Sequence, residues 1–97
     1  GKRDAALQIL ADPLPTAGGE GLVQAWLQRA WAAHQLGLAQ ARIDALRAAI
    51  ALGGGANPAR VWKDLSSAEF DGGNFRRAIA ARLEAIALIG RQQVRCK

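Results

Sequence analysis

The chain has 97 residues, a formal net charge of +5, and 51% hydrophobic against 22% charged residues. That balance and length suit one self-sufficient core and exclude a disordered tail or a stapled miniature. No apolar run approaches the ~18 residues of a membrane span, and valine, isoleucine, threonine and tyrosine are too scarce for a sheet.

Alanine and leucine supply most of the apolar residues and both favour helix, so the expectation is an all-α fold. Residues 4–11, DAALQILA, read as a short helix that Asp4 can cap, with Leu7, Leu10 and Ala11 on one face. Two prolines and three glycines in DPLPTAGGEG, residues 12–21, end it. A second helix is predicted over 22–36, with Trp26, Ala30 and Ala33 at helical spacing, and Gly37 stops it. A third covers 39–52, with Ile43, Leu46, Ala49 and Ile50 on one side. In the loop GGGANP, residues 53–58, Asn57 suits an N-cap and Pro58 the first turn of a fourth helix over about 59–71. Gly72-Gly73 ends that helix, and a fifth runs to residue 89 or beyond. The opening residues do not read as a secretory signal, and a start at Gly1 without Met reads as a processed or excised piece.

A shift of 36 residues superposes Trp26 on Trp62, Gly37 on Gly73 and Ile43 on Ile79, and it carries Ala49-Ile50-Ala51-Leu52 onto Ala85-Ile86-Ala87-Leu88. One unbroken offset through structurally special residues marks an internal helix–turn–helix repeat. It also explains why the fifth helix is rich in alanine. Ala78, Ala81 and Ala85 form a stripe that lets two helices joined by a tight turn approach closely. Ser66 and Ala68 are the small residues facing them, and Trp62, Leu65 and Phe75 are expected to supply the burial energy.

Trp62, Leu65, Ser66, Gly73, Phe75, Ala78 and Ala85 stand at the spacing of the tetratricopeptide repeat, which residues 22–90 resemble over two copies; a Sel1-like repeat is the alternative. The first copy covers 22–52 and the second, closer copy 59–90. Residues 4–11 resemble the last helix of a preceding repeat, and 91–97 form a basic tail. Arg42 stands where the family has a contact alanine, Arg29 where it has leucine, and Glu69 and Arg82 where it has aromatics. The period is 36 residues, longer than the family's, and the extra length falls in GGGANP. The arginines in the first copy predict a looser first hairpin. The resemblance implies a right-handed solenoid of helical hairpins, part of a longer array, that serves as a protein-interaction scaffold. Large bacterial arrays of this family often serve secretion or envelope machinery.

Catalysis and cofactor chemistry find no support in the residue set. His34 is the only histidine and has no adjacent acid, and one His and one Cys are no metal-ligand set. Charge is uneven: residues 1–58 hold five Lys and Arg against four Asp and Glu, and residues 59–97 hold eight against four. Arg76, Arg77, Arg91, Arg95 and Lys97 raise nucleic acid as a partner, but no aromatic interleaves them for base stacking.

Trp31 matches Ser67 across the repeat, so it has no repeat role. It aligns on its helix with Gln24, Leu27, Gln28 and Gln35. The resemblance implies that this side of each first helix lines a concave groove, to which Arg60, Lys63, Asp64 and Ser67 add from the next copy. Such a surface suits a peptide or helix of a partner protein, with Arg60 and Lys63 favouring an acidic one. A second reading packs Trp31 on the first helix or the 12–21 linker. A structural spacer or self-assembling element is the alternative function, because Leu83, Ile86 and Ile89 lack a capping helix.

Overall fold

A computed structural model describes residues 1–16 and 18–95, with side chains to residue 91. Cys96, Lys97 and the side chain of Arg95 lie outside the described residues. Five helices follow one another: α1 (Lys2–Ala11), α2 (Glu20–Gln35), α3 (Ala39–Ala51), α4 (Pro58–Asp71) and α5 (Phe75–Arg95). Among the described residues there is no strand.

Among the described residues each helix packs only on its neighbours in sequence: α1 on α2, α2 on α3, α3 on α4 and α4 on α5. The radius of gyration is 14.0 Å, against about 12.5 Å expected of a globule of this length. Pairing restricted to neighbours stretches the molecule into a row.

Local chemistry fixes the turns. Gly37 (φ +70°) and Gly73 (φ +81°) sit one residue past the caps of α2 and α4, in the left-handed region that a side chain disfavours. The next amide then reaches back to a last-turn carbonyl, Leu38 to Ala33 at 2.9 Å and Asn74 to Glu69 at 2.8 Å. These paired bonds satisfy helix-end carbonyls and fold each following helix back on the one before. In GGGANP, Gly53, Gly54 and Gly55 all have positive φ, which lets the longer loop turn tightly. Asn57 Oδ1 accepts the Arg60 amide at 3.2 Å, and Pro58 opens α4 as expected.

The core carries the alanine stripe. Ala45 and Ala49 on α3, and Ala78, Ala81 and Ala85 on α5, are buried, with Ile43, Leu46, Val61, Leu65 and Ala68 beside them. Ser66 Oγ donates to the Ala78 carbonyl at 2.6 Å, the close backbone approach that small residues permit.

Several expectations need correction. Phe75 is 56% exposed and stacks edge-on against Phe70, with 5.1 Å between ring centroids; as the first residue of α5 it lies beyond the reach of the core. Trp62 packs against the core cluster but stays partly exposed, short of the full burial expected of it. Helix α1 starts at Lys2, which puts Asp4 in its first turn instead of at its cap; Ala6 is its buried residue and Leu7 is exposed.

The arginines of the first copy find partners. Arg42 keeps its side chain 16% exposed and reaches Asp71 at 3.4 Å. Arg29 lies over Trp26, its Cζ 5.6 Å from the ring centroid, and donates to the Asp12 carbonyl at 2.8 Å.

Candidate functional site

A groove of about 440 Å³ lies between α2 and α4, with α3 as its floor. From α2 come Gln24, Leu27, Ala30, Trp31 and His34, from α3 Arg42 and Leu46, and from α4 Arg60, Val61 and Asp64. Gly54, Ala56 and Asn57 close one end. Periodicity explains why α2 delivers its share: positions 24, 27, 31 and 34 follow the i, i+3, i+7, i+10 spacing of one helix face.

Trp31 is 41% exposed and lines the groove. It does not belong to the buried cluster, and it is not among the residues that line the cleft beside the 12–21 linker. Its large apolar surface stands in a concavity floored by Leu46 and lined also by Leu27 and Val61.

Five of the nine residues expected on this surface come together here: Gln24, Leu27, Trp31, Arg60 and Asp64. Four do not line it. Gln28 turns to a shallow cleft that it shares with Asp12, Pro13 and Leu14 of the linker. Gln35, Lys63 and Ser67 are exposed on their helices.

The electrostatics are largely internal. Arg60 Nε stands 3.6 Å from the Asp64 carboxylate one turn on, and Arg42 is engaged with Asp71. With Lys63 outside and Arg60 paired, the groove is apolar with compensated charges rather than basic. Sequence reasoning missed the floor residues Arg42 and Leu46 and the end formed by the glycine loop, since helix periodicity cannot say which face of α3 underlies α2 and α4. Among the described residues no group of three His, Cys, Asp or Glu side chains converges. No described helix is long and apolar enough to cross a membrane.

Comparison with protein-family models, curated proteins and solved structures returns no match to this chain.

Proposed function

We propose that the chain is a tetratricopeptide-like, right-handed helical-hairpin unit and acts as a protein-interaction module, holding a peptide or short helix of a partner in the α2–α4 groove. The observation that carries this reading is Trp31, a large aromatic left 41% exposed inside a concave, mostly apolar surface. Internally repeated hairpins that pack only on their neighbours support the solenoid reading. Scaffolding suits the site better than catalysis does, since His34 stands in the groove without a nucleophile or carboxylate bonded to it.

The test is capture of a partner from a peptide library by the whole chain. Trp31→Ala should weaken capture at least tenfold, as loss of an interface anchor does. Lys63→Glu should leave it unchanged, because Lys63 stands outside the groove. Equal capture by Trp31→Ala and the parent chain would sink the groove reading.

One observation favours a second reading, assembly through α5. Phe75, Ile79, Leu83 and Ile86 form an exposed apolar stripe along that helix. The α3 counterparts of Ile79 and Ile86, which are Ile43 and Ile50, lie in or pack against the core cluster that α4 completes. A neighbouring helical element covering α5 as α4 covers α3 would bury the stripe. Mass in solution against concentration tests this: Ile79→Lys should abolish any dimer, and a parent chain that stays monomeric throughout rejects it.

A further inference from the structure

A second cavity of about 430 Å³ opens on another face of α4, between α3 and α5. Trp62 and Leu65 form its apolar wall, and Glu69, Glu84, Arg47 and Arg77 its polar one. Glu69 is the unusual member. Its side chain is 1% exposed; Oε1 accepts from Arg47, and Oε2 is buried with no hydrogen-bond partner among the described residues. An ionised oxygen without a donor is costly, so a group that brings one into the cavity gains a charge-assisted bond.

The internal repeat indicates which group fits. In the first copy the tryptophan at this position, Trp26, is covered by a guanidinium from its own helix, that of Arg29. The 36-residue shift puts Leu65 where Arg29 stands and Glu69 where Ala33 stands. The second copy therefore keeps the tryptophan, loses the internal cation and gains a buried carboxylate.

We propose that this cavity takes an arginine side chain from a partner polypeptide, stacked on the exposed part of Trp62 and donating to Glu69. Arginine fits better than lysine, because a planar guanidinium stacks on an indole and bonds a carboxylate in one geometry. Arg47, half exposed, can turn towards solvent, and Arg77 and Glu84 add one charge of each sign to the lining. The site is separate from the Trp31 groove and does not rest on it.

The probe is the blocked tripeptide acetyl-Gly-Arg-Gly-amide, titrated into the full chain while the three tryptophan indole N–H signals are followed by NMR. The Trp62 signal should move saturably, and the neutral citrulline counterpart should bind at least about tenfold more weakly. Glu69→Gln should cause a similar loss. Ala80→Trp, which fills the rim from an exposed position, should block binding with the helical content unchanged. Trp31→Ala should leave this titration intact, which separates it from the groove. Equal response to arginine and citrulline, or movement of Trp26 or Trp31 in place of Trp62, overturns the proposal. A peptide-independent shift of Trp62 that grows with protein concentration overturns the assignment to a separate partner, because the arginine then comes from a second copy.

Discussion

Arg47 on α3 donates from Nη2 to Oε1 of Glu69 on α4 across 2.8 Å, and this bond is the one ionic link the buried carboxylate has among the described residues. It ties the first hairpin to the second at a position where the repeat resemblance leads one to expect an aromatic ring.

Arg47→Ala should therefore be costly out of proportion to its half-exposed side chain. Removing one partner of a buried pair typically costs about 3–5 kcal/mol; with Arg47 partly solvated, about 2 kcal/mol is expected. Adding Glu69→Leu should restore most of that, since an apolar residue needs no partner there. Urea denaturation of the single and double variants measures both. A double variant no more stable than Arg47→Ala alone would show that the carboxylate was not the source of the loss.

The two exposed-side tryptophans should behave differently. Trp31→Ala should change stability by less than ~1 kcal/mol, since the side chain lies in the groove outside the buried cluster. Trp62→Ala should cost about 2–3 kcal/mol, below the 3–5 typical of a fully buried aromatic, because Trp62 packs on the core but stays partly exposed. Unfolding midpoints of the two variants in the same buffer decide it; equal shifts would contradict the burial difference.

Amide exchange should be slower in α3 than in α5. The sequence suggested the reverse, from Arg42 and Arg29 in the first copy. Both arginines have found partners, and α3 is packed on two sides, by α2 and α4, while α5 is packed on α4 alone. Residues 43–49 should thus approach the protection of global unfolding, and residues 78–88 should exchange through local opening. Faster exchange in 43–49 would mean that the first hairpin opens independently.

Gly54→Ala should be more damaging than Gly37→Ala. Both positions have positive φ, worth about 1–2 kcal/mol against any L side chain. At Gly37 an added methyl meets open space, whereas at Gly54 it would lie 2.9 Å from Pro58 Cα and Cβ at the start of α4. Thermal melts should place Gly54→Ala well below Gly37→Ala. Matching melts would show that the loop shifts freely away from Pro58.

Periodicity, turn glycines and a single repeat offset determined the helices, their order and the alanine stripe, because these depend on residues close in the chain. The sequence also put Trp31, Leu27 and Gln24 on one face of α2, which the groove uses. It could not say what stood opposite that face. Ile43 and Ile79 make the point: they are equivalent in the repeat, yet Ile43 is buried and Ile79 is 62% exposed. The difference is α4, which covers α3 and has no counterpart over α5 among the described residues. Likewise, nothing near Glu69 in sequence announces Arg47, 22 residues earlier on a different helix. The groove floor, the arginine partners and the second cavity arise only when residues far apart in the chain meet, and burial there depends on what the neighbour supplies rather than on the residue itself.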